Sequence, residues 1–306
     1  MPIAAVKDIL RPSERLWAVY FLYVSLLGLW RAPSLPFSAL SLIAPLALIA
    51  IARADSVATH RRWSILRDWA PTVLILVAYW SIDWAPGPSR DRQLEDALIT
   101  WDRVLLDRWH LRLAIEGLGV LIPSMLEIAY LLVYAVLPLT IAWFYVGGRR
   151  ERLDDFVFPF VLGTLATYAL LPHFPSEAPR FVYAGDPLPV ETVFRHVNIW
   201  ILDQADIRSS VFPSGHVAVG FSAAFALRLA VPGRRALGNT LLVIATLVWI
   251  STVYGRYHYA GDGLAALASS AVSIAVVFVR RASPHHPSVR AAALEEDGVT
   301  GDSIRR

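Results

Sequence analysis

Two short strings hold the residue types that chemistry needs. Pro213-Ser214-Gly215-His216 opens one apolar run, and Tyr257-His258-Tyr259-Ala260-Gly261-Asp262 opens another. A helix start presents unpaired N–H groups and the positive end of the helix dipole, so it attracts an anion. Pro213 sets the turn into such a helix, Gly215 lets a ligand approach the backbone, and Ser214 adds a hydroxyl donor. His216 then lies in the first turn beside the anion, where an imidazolium can protonate a leaving alkoxide. His258 and Asp262 are four apart, which on a helix puts them on one face. A carboxylate on one ring nitrogen sets the tautomer and leaves the other nitrogen as a nucleophile. These types together fit metal-free phosphoryl transfer through a phosphohistidine. The competing readings are a helix-entry histidine at an interface for His216, and a surface pair worth about 0.2–0.5 kcal/mol for His258 and Asp262. Helix starts suit anions better than cations, so no metal and no other cofactor is expected.

The elements that must position these strings are membrane spans. The chain has 306 residues, is 56% hydrophobic and has a mean hydropathy of +0.50. A soluble domain is roughly 45–50% apolar even with glycine counted. The excess lies in blocks of about 15 to 30 residues, long enough to cross a bilayer as helices. About eight blocks are predicted, at Leu16–Trp30, Phe37–Ala52, Trp69–Trp84, Gly117–Tyr145, Phe156–Phe174, Ser214–Val231, Ala236–Tyr254 and Gly261–Val279. The fold class is therefore all-α, a polytopic transmembrane helical bundle. Arginine pairs and triplets follow the second, fourth, sixth and eighth blocks, which puts them on one side, the cytoplasmic one. Both termini are then cytoplasmic, and both motifs open on the outer face. The same arginines account for the formal charge of +3 without nucleic acid as a partner. With no cysteine, thiolate sites and disulfides are excluded. Between the third and fourth blocks, Leu98, Trp101, Leu105, Trp109 and Leu113 predict an amphipathic helix on the membrane surface. The polar tail from residue 282 to 306 is expected to be disordered.

The order Pro-Ser-Gly-His, then Ser251-Thr252-Val253-Tyr254-Gly255-Arg256-Tyr257-His258 with Asp262, resembles the type-2 phosphatidic acid phosphatase (PAP2) superfamily, nearer the inositol phosphorylceramide synthase-like branch. The resemblance runs from Glu116 to Val279 and is sharpest in the last third of the chain. It implies a six-helix catalytic core, with His258 as nucleophile, Asp262 orienting it and His216 as general acid. Ser214 and Gly215 would hold phosphate oxygens. Thr252 stands where the family's third motif has arginine. The first motif's lysine-to-arginine spacing is matched only by His173 and Arg180, with histidine in place of lysine. Arg180, His173 and Arg256 are the candidates for the remaining phosphate contacts. The expected organisation is extra spans over residues 1–68, a catalytic membrane domain over 69–281, and the tail.

These readings lead to an integral inner- or plasma-membrane enzyme acting on a lipid phosphate or phospholipid. Water as acceptor makes it a lipid phosphate phosphatase; a lipid alcohol makes it a phosphotransferase. The loss of two cations fits a phosphodiester, which carries less charge than a monoester. Glu127 lies deep in its block, with Arg228 as the expected partner and Tyr130 and Tyr134 nearby. A charge there is costly and often functional, so a non-enzymatic transporter or lipid-binding protein is the alternative from another class. A degenerate scaffold without turnover is the third. Asp83, near an outer block end, carries no expectation beyond structure.

Overall fold

Where they are described, the apolar blocks are helical, since only internal backbone hydrogen bonds are available to a chain in lipid. In the computed structural model, which describes residues 9–31, 41–57, 60–85, 87–90, 92–183 and 189–282, twelve α-helices are present and no strand among them. They are α1 (Pro12–Arg31), α2 (Ile43–Val57), α3 (Arg61–Trp80), α4 (Arg92–Arg103), α5 (Leu111–Glu116), α6 (Leu121–Val146), α7 (Leu153–Leu170), α8 (Pro179–Val182), α9 (Val193–Ala205), α10 (Gly215–Ala230), α11 (Arg235–Tyr254) and α12 (Ala260–Ala282). Among the described residues five stretches are long and apolar enough to cross a membrane: Arg61–Trp84, Leu121–Val146, Arg150–His173, Pro232–Tyr254 and Ala260–Arg281; α10 is a shorter apolar helix. The tail after residue 282 and part of the second block lie outside the described residues.

The short helix α10 is the centre of the bundle. It is mostly apolar, and twelve of its sixteen residues are buried, as expected of a helix surrounded by others. It packs against α6, α7, α11 and α12. Small residues let the backbones approach, as is usual for helices packed in membranes. A Cβ placed on Gly163 of α7 would fall 2.4 Å from the Ser222 hydroxyl, and one on Gly220 would fall 3.0 Å from the Ala245 side chain. Helices α1 and α3 close over α7, where Tyr23 donates to the Ala169 carbonyl at 2.8 Å.

One end of the bundle collects buried ion pairs. Arg67 holds Glu14 at 2.6 Å and Asp55 at 2.8 Å, and Asp68 accepts from Arg11 at 2.6 Å and from Tyr145 and Arg150. Arg281, at the end of α12, reaches Asp155 at the start of α7. Helices α10 and α12 both start at the opposite end.

Two expectations are corrected. Glu127 does not meet Arg228. Arg228 is twelve residues beyond His216, which places it about 18 Å down α10, where it bonds Asn239. Glu127 instead takes Arg195 and Asn198 of α9 and Tyr257. The stripe from Leu98 to Leu113 is also not one helix face. A π-turn at Val104–Arg108 and a left-handed His110 (φ 55°) change its phase. Leu98 turns inward, while Trp101, Trp109 and Leu113 stay exposed.

Candidate active site

The two motifs meet because two helix starts are tied together through the backbone. Ser214 caps α10, its hydroxyl accepting from the Val217 N–H at 3.3 Å, as N-cap serines do. Its own N–H donates to the Asp262 carbonyl at 3.1 Å. Before α12 the chain reverses through Gly255–Tyr259, with Arg256 in the left-handed region (φ 62°). The Thr252 carbonyl accepts from the N–H groups of both Tyr257 and His258, at 2.9 and 3.1 Å. Thr252 thus contributes its backbone at the position where the resemblance implies an arginine side chain.

His258 is held on one ring nitrogen and open on the other. Its Nδ1 lies 3.0 Å from the Val211 carbonyl and 3.2 Å from Asp262 Oδ2. A carbonyl only accepts, so Nδ1 carries the proton and Nε2 the lone pair. Asp262 Oδ2 also accepts from the Tyr259 N–H at 2.9 Å. Burial lowers the His258 imidazole to about 4, since desolvation disfavours the charged form. It is therefore neutral at physiological pH, the form a nitrogen nucleophile requires.

Nε2 of His258 faces Nδ1 of His216 at 3.3 Å. The far nitrogen of His216 meets two hydroxyls, Tyr130 at 3.0 Å and Tyr134 at 3.2 Å. A tyrosine hydroxyl donates to a neutral imidazole and accepts from an imidazolium, so both protonation states of His216 keep partners. Tyr130 packs against Tyr257, ring centroids 4.5 Å apart and planes tilted by 41°. Tyr257 donates to Glu127 at 2.6 Å, which also accepts from Asn198 at 2.6 Å and Arg195 at 3.3 Å. Arg195 reaches the Gly255 carbonyl at 3.1 Å. The buried ion pair thus braces the turn that carries His258.

The candidate phosphate ligands part ways. Gly215 lies against the Tyr168 ring, where an added Cβ would come to 2.9 Å. Arg180 lies beside the site, its N–H on the Arg256 carbonyl at 2.9 Å and its Nη2 on Asp206 at 2.6 Å. The guanidinium of Arg256 donates to the Tyr183 carbonyl at 3.2 Å and lies over the Tyr183 ring. His173 has Tyr23 at 2.7 Å and Arg31 at 3.1 Å, both on α1 rather than at the histidine pair. Asp83 accepts from the N–H groups of Arg208 and Ser209, shaping the loop before Pro213.

Sequence reasoning missed four contributors. Val211 acts through its carbonyl, which no residue type announces. Arg195 and Asn198 belong to α9, whose i,i+3 spacing signalled a shared face without naming the partner. Asp206 ends α9 and also accepts from Tyr79. A cavity of 190 Å³ ends on His216, walled by Tyr79, Tyr134, Leu137, Tyr168 and Leu202. A second, polar cavity of 750 Å³ is bordered by Arg90, Glu177, Arg180, Asp203 and Arg208. Asp206 lines both.

No curated protein and no solved structure matches the chain. The sequence profile of the PAP2 superfamily matches residues 96–276, a stretch that includes both histidines, Asp262, Arg180 and Glu127. That match covers more than half of the chain, which belongs to the PAP2 superfamily.

Proposed function

We propose that this protein is an integral membrane enzyme that cleaves a phosphate ester of a lipid through a phosphohistidine on His258. The observation that carries the reading is the 3.3 Å approach of His258 Nε2 to His216 Nδ1, with the opposite nitrogen of His258 fixed by Val211 and Asp262. In the first step the two imidazoles part to admit the phosphoryl group. The Nε2 lone pair forms the N–P bond, the P–O bond to the leaving alcohol breaks, and His216 gives that oxygen its proton. Ser214, the N–H groups at the start of α10 and Arg180 stabilise charge on the remaining oxygens. In the second step an acceptor oxygen bonds to phosphorus and loses its proton to His216, and the N–P bond breaks. Water as acceptor gives a lipid phosphate phosphatase.

A second reading, a phosphotransferase with a lipid alcohol as acceptor, is favoured by the lining of the cavity on His216. Its walls are largely aliphatic and aromatic, which suits an acyl chain. In either case the chain crosses the bilayer about eight times, through α1, α2, α3, α6, α7, α10, α11 and α12. The arginine-rich end and both termini face the cytoplasm, and the site opens at the outer leaflet.

The test is phosphate release by detergent-purified protein in EDTA, on phosphatidic acid, a prenyl diphosphate and phosphatidylglycerophosphate, with His258→Ala alongside. Release that survives EDTA and vanishes in the variant supports the phosphatase. Silence on all three, with transfer from phosphatidylinositol to a lipid alcohol, supports the phosphotransferase. Silence on every donor overturns the enzyme reading.

A further inference from the structure

The cation expected to meet the phosphate is already half engaged. Arg180 gives Nη2 to Asp206 at 2.6 Å, while its Nε is buried and has no partner among the described residues. A guanidinium fork binds a carboxylate or phosphate best through two parallel N–H donors. Asp206 takes one prong only. Its carboxylate is itself held by the Tyr79 hydroxyl and is 11% exposed. It stands on the wall shared by the apolar and the polar cavity. Asp206 and His216 line the same apolar cavity, and Asp206 and Arg180 line the polar one. The pair is therefore part of the electrostatic environment of the reacting phosphorus.

We propose that Asp206 sets the charge that the site accepts. By neutralising Arg180 while leaving Nε free for one phosphoryl oxygen, it selects a phosphate group carrying a single negative charge, as in a phosphodiester, over the doubly charged phosphate of a monoester. The inference rests on the reading of this site as a phosphoryl-transfer centre. Its physics is Coulombic. A fixed carboxylate repels an incoming dianion about twice as strongly as a monoanion, and partial burial keeps that difference from being screened away. Loss of the arginine and lysine of the family motifs acts in the same direction, but Asp206 is a charge added where those were removed.

The deciding variant is Asp206→Asn, which keeps the size and an acceptor oxygen for Arg180 and Tyr79 and deletes the charge. Two readouts are taken on the full-length, detergent-purified chain. One is the affinity for inorganic phosphate at pH 8, where it is mostly a dianion, by isothermal titration. The other is the ratio of kcat/KM for phosphatidic acid to that for a phosphatidyl alcohol diester of the same acyl chains. In the variant, phosphate is expected to bind about tenfold more tightly, and the monoester-to-diester ratio to rise by a similar factor. Asp206→Glu, which restores the charge, is expected to return both to the wild-type values. Unchanged or weaker phosphate binding in Asp206→Asn overturns the proposal, as does an equal fall in both esters. Those results would make Asp206 a residue that only positions Arg180. If no protein turns over either ester, the phosphoryl-transfer reading falls, and the phosphate titration alone decides the role of Asp206.

Discussion

The backbone N–H of Ser214 donates to the carbonyl of Asp262 at 3.1 Å. This bond joins the starts of α10 and α12, forty-eight residues apart in the chain, and it sets the spacing between the two imidazoles. One histidine rides on each side of it. A substitution that moves either helix start therefore reaches both His216 and His258 at once.

The proposed mechanism gives the two histidines separable roles. His258→Ala is expected to abolish turnover of every substrate. His216→Ala is expected to lower kcat by about 10²–10⁴-fold on an alkyl phosphate ester. The loss should shrink with a p-nitrophenyl ester, whose leaving group needs no proton. Steady-state kinetics on the two ester types check this; an equal loss on both removes His216 from the acid role.

Tyr130 and Tyr134 share the far nitrogen of His216. Either Phe substitution leaves the other hydroxyl in place and should cost about 0.5–1.5 kcal/mol of transition-state stabilisation, or roughly two- to tenfold in kcat. Removing both takes away each hydroxyl that holds the far nitrogen of half-buried His216, so the double variant is expected to lose more than the product of the single losses. A double-mutant cycle on kcat measures it.

Asp102 ties α4 to the start of α12, next to the turn that carries His258. It is buried, and its Oδ1 accepts from the Ala260 N–H at 2.8 Å. Burial raises its carboxyl from 3.8 to about 8, so the folded chain keeps a proton that the unfolded chain gives up. Stability is then greatest below the unfolded value and falls as pH rises from about 4 to about 8. Asp102→Asn, permanently neutral, is expected to flatten that fall. Thermal unfolding of both proteins at pH 6 and pH 8.5 is the check, and an equal slope in the two would refute it.

Glu127 carries the brace behind Tyr257. Glu127→Ala leaves the buried Arg195 guanidinium with only the exposed Glu191 carboxylate at 3.8 Å, and removing one partner of a buried pair costs about 3–5 kcal/mol. A marked drop in unfolding temperature is expected. Glu127→Gln, which keeps acceptors for Asn198 and Tyr257, should lose less.

Close packing around α10 gives a further test. Gly163→Val places methyl groups where the Ser222 side chain stands. It should destabilise by about 1–3 kcal/mol, with partial recovery in the Gly163→Val, Ser222→Ala pair. Denaturation in mild detergent measures both.

Much of this protein follows from local sequence. Apolar blocks of span length become helices because a backbone in lipid has no other partner for its N–H and C=O groups. The start of α10 was legible at Pro213 and His258–Asp262 as a pair, since both relations lie within one helical turn; that the Ser214 hydroxyl caps α10 came from the structure. The tertiary structure alone decided what each group faces across elements. The Val211 carbonyl settles the tautomer of His258, Asp206 claims one prong of Arg180, and Glu127 finds Arg195 rather than Arg228. The stripe from Leu98 to Leu113 divides at a π-turn that no periodicity announces. Periodicity gives the face of a helix but neither its rotation against a neighbour nor its height along the bundle, and those two quantities choose every partner outside the local turn.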